Sequence, residues 1–415
     1  MLTYACELFI LLTMAICVRG ADDVLTLRDA LTRTLYLSPE LATLPYDERA
    51  AEARVLQAGL RPNPEVSVEV EDFGGQKEFR GFGESETTLK FGQLLELGGK
   101  RAARIREAQA EKALVKFDCE VKRREVLSQT AQAFYDVLGA QRRVQLNEAL
   151  AKFAEELAPA IQRRVESGRA SAVEESRNEV AVASARIALE QARGDLAAAR
   201  RNLAAMWGAR QPDFGSAVGD LERVAKPGPF RNYVRLLSAY PSLARWPAET
   251  NKRVATVAKE KAQGAPDVTL TVGPRWWEGP QAAAIFASVS VPLPLQNRNQ
   301  GAVRQAQAMV EKAAGERKAA EVMLVKEAGE SYEQMVKAHT EIQILSSSVL
   351  PNAQRTVDSV QEGYAIGKFS QLDVLEARRT IIEARTQYLQ ALVTYHKASA
   401  QLDALTGATP SALGK

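Results

Sequence analysis

Apolar and polar positions along this chain keep two periods. In four short stretches the period is two, the pattern of a strand with unlike faces. Glu65 to Phe73 (EVSVEVEDF) sets Val66, Val68 and Val70 against Ser67, Glu69 and Glu71. Ser85 to Glu96 sets Leu89 and Phe91 against Thr88 and Lys90. Asp267 to Val272 (DVTLTV) alternates around Thr269 and Thr271, and Ala284 to Val291 (AIFASVSV) returns from it. In the long stretches the period is seven: Val173, Val180 and Ile187; Leu189, Leu196 and Leu203; Leu375, Ile382 and Leu389. That spacing predicts left-handed coiled-coil packing, and two stripes on one helix predict neighbours on both sides. Alanine at many flanking positions permits close approach. An ordinary long helical bundle would show the same period.

The elements occur twice in the same order. Residues 168–208 and 367–407 align without a gap, pairing Gly168 with Gly367, Ser171 with Ser370, Arg186 with Arg385 and Gly208 with Gly407. Upstream, Pro39 pairs with Pro241 and Pro64 with Pro266. Each copy reads helix, two strands, long helix, turn, helix. The first repeat covers 21–209, with strands at about 65–73 and 85–96 and long helices at 100–166 and 171–207. A Gly/Pro-containing linker follows at 210–230. The second repeat covers 226–409, with strands at about 267–276 and 284–293 and helices at 301–366 and 370–406; residues 410–415 form a tail. Lys100 to Glu166 carries no Gly or Pro except Gly139 and Pro159, and Gly301 to Ile366 carries one late proline, Pro351. At 1.5 Å per residue each run spans roughly 100 Å. The expected class is mostly α with a small membrane β part: tandem repeats whose helical hairpins build an α-barrel, plus four strands per chain.

Composition narrows the choice. The 415 residues include 54 Lys and Arg against 51 Asp and Glu, a net charge of +3, which excludes a strongly basic nucleic-acid binder. Mean hydropathy is −0.22 and no apolar run reaches 18 residues, so a bundle of spanning helices is excluded while a β-barrel is not. Leu8 to Val18 has the length of a signal-peptide core, with Val18 and Gly20 small enough to precede a cleavage site at Ala21. Residues 1–20 are therefore expected to be a signal peptide. The bulky Ile16 before Cys17 speaks against a lipidation site there. Cleavage would leave Cys119 as the one thiol, too few for an internal disulfide.

Four strands cannot close a barrel, and an open sheet in lipid would leave its edges unpaired. Closure needs several copies. With strands about 4.8 Å apart and tilted about 40°, 12 strands make a ring roughly 24 Å across and 8 make one of roughly 16 Å, which side chains would fill. The polar faces carrying Ser67, Glu69, Glu71, Thr88, Lys90, Thr269 and Thr271 call for water, so a trimer with a wide pore is expected. Phe73, Phe79, Phe82, Trp276 and Trp277 lie at strand ends, where an interfacial girdle would sit.

With these elements in this order, the mature chain resembles the TolC family of outer-membrane efflux proteins. AGLRPNPEVSVEVEDFGG (58–75) and ETTLKFGQLLELGGKRAARIREAQAE (86–111) are similar to its heavy-metal, CzcC-like subgroup. The resemblance implies a homotrimer in the outer membrane that continues as a helical tunnel into the periplasm. It also implies a periplasmic adaptor and an inner-membrane pump of the resistance–nodulation–division type as partners.

The helix-connecting turns carry the candidate gate. Ser171 with Glu174, and Ser370 with Asp373, fit a capping box, with Gly168 and Gly367 ending the helices before them. That local role is stronger for Glu174, since Asp is the poorer box partner. Asp373 and Glu376 are three apart on one helix face. Three copies would make a ring of six carboxylates that bind cations and raise one another's pKa. The resemblance supports an acidic constriction there, implies that Tyr364 ties the closed entrance with Glu174 as acceptor, and sets Gly168, Arg169, Ser171, Gly367, Lys368 and Ser370 toward the adaptor. Phe369 departs from the arginine of the type member.

Enzyme chemistry finds no support. Gly98-Gly99-Lys100-Arg101 misses the spacing of a phosphate loop. There is no HExxH or GxSxG motif and no Cys pair with zinc spacing. His339 and His396 stand alone in helices as packing or surface residues. No cofactor and no resident metal is implied. The competing readings are a drug or small-molecule duct of the same family and, from another class, a periplasmic coiled-coil adaptor or structural protein.

Overall fold

The computed structural model describes residues 24–168 and 171–407, apart from the side chain of Glu78. The expected leader over 1–20, Arg169 and the 410–415 tail lie outside the described residues. The chain opens with β1 (Val24–Leu25) and α1 (Leu27–Leu37). Thr26 caps α1: its hydroxyl accepts from the Asp29 N–H while the Asp29 carboxylate accepts from the Thr26 N–H. Helix α2 (Leu44–Gly59) stops before Pro62 and Pro64, which impose extended backbone on the entry to β2 (Glu65–Glu71). β3 (Glu86–Leu95) returns, and α3 (Lys100–Glu166) and α4 (Ala172–Ala205) form the first long hairpin.

The second half repeats this plan after β4 (Ser216–Ala217), α5 (Phe230–Leu237), α6 (Pro241–Ala244) and α7 (Trp246–Gln263). β5 (Val268–Trp277) and β6 (Ala282–Ser290) lead to α8 (Gln300–Ile344), α9 (Leu350–Ala365) and α10 (Gln371–Thr406). Both long helices start from a left-handed residue, Gly99 at φ 72° and Asn299 at φ 60°. Asn tolerates that conformation, and its side chain donates to Glu260. The expected single helix over 301–366 is interrupted: Leu345–Val349 forms a π-helical turn between α8 and α9. Pro351 explains it, because a proline lacks the N–H and clashes with the carbonyl four residues back, and a widened turn relieves both.

The four strands form one antiparallel sheet in the order β2-β3-β5-β6, so strands from both halves meet at its centre. β1 and β4 add a short parallel pair that the alternation pattern did not announce. The main core sits at mid-body. It joins Phe134, Val137 and Leu138 of α3 to Leu203 and Ala204 of α4 and to Leu392, Leu402 and Leu405 of α10. The stretch read as a linker belongs to this core, since Phe214, Ala217 and Leu221 are buried. The Gln141 amide clamps both backbone groups of Ala217, at 2.7 and 2.8 Å, and the Tyr395 hydroxyl donates to the Ala225 carbonyl at 2.8 Å. His396 is a packing residue: it is buried, stacked on Tyr135, and held on the Leu221 carbonyl at 2.9 Å. Small residues set the helix spacing, as at Gly139, where an added Cβ would lie 2.6 Å from Val393. A second, smaller cluster (Val357, Val360, Val374, Ile381) holds the α9/α10 hairpin.

Candidate functional site

The sheet sorts its side chains cleanly. Directly opposed residues share a face. The pairs Ser67–Lys90, Glu69–Thr88, Glu71–Glu86, Gly92–Thr271 and Thr88–Arg275 therefore place all seven sequence-selected residues on one side. Leu94–Thr269, Thr269–Ser290 and Thr271–Ser288 continue that side to the edge. The other side is Val66, Val68, Val70, Phe91, Leu270, Val272, Trp276, Ile285 and Val289, all exposed in the single chain. On the two central strands the polar side is the sheltered one: Thr88 is fully buried while Phe91 is 48% exposed. An exposed apolar face of this size is the pattern of a lipid-contacting surface.

The polar face is cross-linked. Lys90 pairs with Glu69, and Arg275 pairs with Glu86 and reaches Glu71 at 3.9 Å. Trp277 was expected in an aromatic girdle, but alternation carries it onto this face, where its indole donates to Glu86 at 2.8 Å. Trp276 alone of the pair lies on the apolar side. Phe73 and Phe82 stack on each other beyond the strand ends, centroids 5.4 Å apart. Arg275, Glu86 and Phe286 were missed by sequence reading. The signal was available: Thr269, Thr271 and Arg275 keep one parity through Gly273.

At the far end of the molecule the two turns differ. Gly168 and Gly367 adopt φ 70° and 80° and end their helices. Ser370 and Asp373 form the full box: the carboxylate accepts from the Ser370 N–H and hydroxyl, both at 2.7 Å, and the Asp373 N–H donates to the hydroxyl at 3.3 Å. Ser171 makes no such bond. Its carbonyl, not its hydroxyl, accepts from the Glu174 N–H at 2.9 Å. The ordering expected from residue type is thus reversed. In the single chain the Ser370 hydroxyl and N–H hold the Asp373 carboxyl below its usual pKa. Ser370→Ala should therefore cost the hairpin about 1 kcal/mol, and Ser171→Ala much less, read as a difference in urea midpoint.

Tyr364 does not bond Glu174 within the chain. Its ring lies under Arg164, 4.7 Å from the guanidinium carbon, and its buried hydroxyl has no hydrogen-bond partner among the described residues. Phe369 covers Gly363, where an added Cβ would lie 2.2 Å from its ring, so a larger residue there would displace that ring. Lys368 and Glu376 are exposed.

The model of the family described as outer membrane efflux protein matches residues 30–209 and 232–408. The chain belongs to that family. It is 32% identical over 390 residues to the cobalt-zinc-cadmium resistance protein CzcC of Cupriavidus metallidurans, covering 94% of this chain and 91% of that one. It is 29% identical over 280 residues to the nickel and cobalt resistance protein CnrC of the same organism, 65% of this chain and 64% of that one. Among solved structures, CusC, described in terms of transmembrane channel formation, superposes with a TM-score of 0.75 at 14% identity, over 94% of this chain and 93% of that one. The expected fold class is the one found. This is an outer-membrane protein of the efflux type, its helical body extending into the periplasm.

Proposed function

We propose that three copies close a 12-stranded barrel in the outer membrane and serve as the passive exit duct of a tripartite efflux system. The cargo is heavy-metal cations, handed on by a periplasmic adaptor and an inner-membrane pump of the resistance–nodulation–division type. The carrying observation is the sheet: a polar face sheltered on its two central strands, an exposed apolar face, and outer edges of β2 and β6 that pair with no strand among the described residues. In hydrocarbon each unpaired backbone group costs several kcal/mol, so identical neighbours are the natural closure. Ser67, Glu69, Glu71, Thr88, Lys90, Thr269 and Thr271 then face the pore. The resistance proteins CzcC and CnrC, by the metals in their names, support the cargo.

The same reading puts Gly168, Arg169, Ser171, Gly367, Lys368 and Ser370 at the adaptor. Asp373, Glu376, Tyr364 and Glu174 stand around the tunnel mouth. Replacing both Asp373 and Glu376 with Ala should raise single-channel conductance and weaken block by multivalent cations. Unchanged currents would remove these residues from the gate. The reading as a whole is tested by purifying the protein in detergent, checking for a trimer and for current in planar bilayers, and measuring metal tolerance of a deletion strain. A monomer that passes no ions would refute it.

A further inference from the structure

Glu71 and Glu86 stand directly opposite each other on β2 and β3. Facing side chains there are about 5 Å apart, and like charges at that spacing repel. Two carboxylates so placed are also a ready pair of oxygen ligands for a divalent cation. The position is taken. Arg275 from β5 pairs with Glu86 and reaches Glu71 Oε2 at 3.9 Å. The guanidinium is fixed on two further sides. Its Nε donates to the fully buried Thr88 hydroxyl at 3.0 Å, and its carbon lies 4.9 Å from the Phe286 ring. Trp277 holds Glu86 from beyond at 2.8 Å. One step along the wall the device recurs: Lys90 pairs with Glu69, its Nζ 5.0 Å from the same Phe286 ring. Phe286 has room because it stands opposite Gly273.

We infer that Arg275, with Lys90 beside it, is a tethered counter-ion. It fills the space between wall carboxylates in which a passing divalent cation would lodge. The inference rests on the proposal that this face lines the duct. The face carries Glu65, Glu69, Glu71 and Glu86 against Lys90 and Arg275, so each chain keeps two negative charges to draw cations in. No facing pair of carboxylates is left free to hold them. Conduction needs binding weak enough to release.

Arg275→Gln tests it in planar bilayers, with zinc ions as blocker. The zinc concentration for half-block should fall by about tenfold, the factor given by 1.4 kcal/mol of added affinity. Arg275→Lys, which keeps the charge, should restore most of the insensitivity, and Lys90→Gln should produce a smaller shift of the same sign. Conducting Arg275→Gln and Lys90→Gln trimers with wild-type zinc sensitivity would overturn the inference while leaving the duct intact. A wild-type protein that passes no current would overturn the duct and the inference together. If Arg275→Gln fails to give a detergent-resistant trimer, Lys90→Gln decides alone, since that side chain makes its ion pair with Glu69.

Discussion

Gly273→Val should leave the protein without a barrel. An added Cβ at this position would lie 1.7 Å from the Leu89 carbonyl oxygen and 2.8 Å from its carbon. Both are backbone atoms of the neighbouring strand, so no rotamer change relieves the clash. The next residue, Pro274, already interrupts the β3–β5 ladder: Thr88 pairs with Arg275 and Phe91 with Val272, but Leu89 and Lys90 between them have no registered partner on β5. β3 and β5 are the central strands, so parting them splits the sheet between the two halves of the chain. A penalty above about 4 kcal/mol is expected, the range of an unrelieved backbone clash. Detergent-resistant trimer should disappear from outer-membrane fractions, and even Gly273→Ala should be severe. Gly301→Ala is the control: an added Cβ meets nothing within 4 Å, and losing a helical glycine should stabilise by about 0.5–1 kcal/mol. Normal trimer yield from Gly273→Val would mean that the two central strands do not pair this way in the membrane.

The same residue shows where sequence reading ran out. Alternation is a property of one strand, so Val66, Val68 and Val70 could be set against Ser67, Glu69 and Glu71 without knowing any partner. Register is a property of two strands. That Arg275 meets Glu71, about 200 positions away in the chain, follows from pairing that no local window contains. The strand expected over 267–276 contains Arg275, but its alternation was followed only to Val272, which hid Arg275 and misplaced Trp277. The glycines and prolines of 210–230 marked a linker, but composition did not reveal that Phe214, Ala217 and Leu221 anchor it in the core. Capping misled through a preference for Glu. Both boxes found among the described residues, Thr26 with Asp29 and Ser370 with Asp373, use the shorter Asp. The long helices were the most legible part, since their repeat extends over many turns, but the π-turn before Pro351 depends on how one proline is accommodated.

Asp267→Asn should be the costliest change at the corner where the sheet meets the helices. Lys100, the first residue of α3, is buried, and its ammonium bonds Asp267 Oδ2 at 2.6 Å. The other oxygen of Asp267 accepts from the Leu97 N–H at 3.1 Å. Removing the carboxylate leaves a buried ammonium without its counter-charge, which costs about 3 kcal/mol, the low end for a buried pair because 21% of the Asp267 side chain is exposed. Lys100→Met together with Asp267→Asn should recover much of that loss, since it removes the stranded charge as well. Burial alone would raise the Asp267 pKa, but the Lys100 hydrogen bond and the Leu97 N–H outweigh it and hold the carboxyl below its usual value. A depressed carboxylate contributes its stability in full above the unfolded-state pKa of about 3.9 and loses it as pH falls through the lower folded value. The gap in urea midpoint between wild type and Asp267→Asn should therefore be constant from neutral pH down to about 5 and close below 4. A gap that stays open in acid, or a double variant no better than the single one, would show that the ion pair is not what secures this corner.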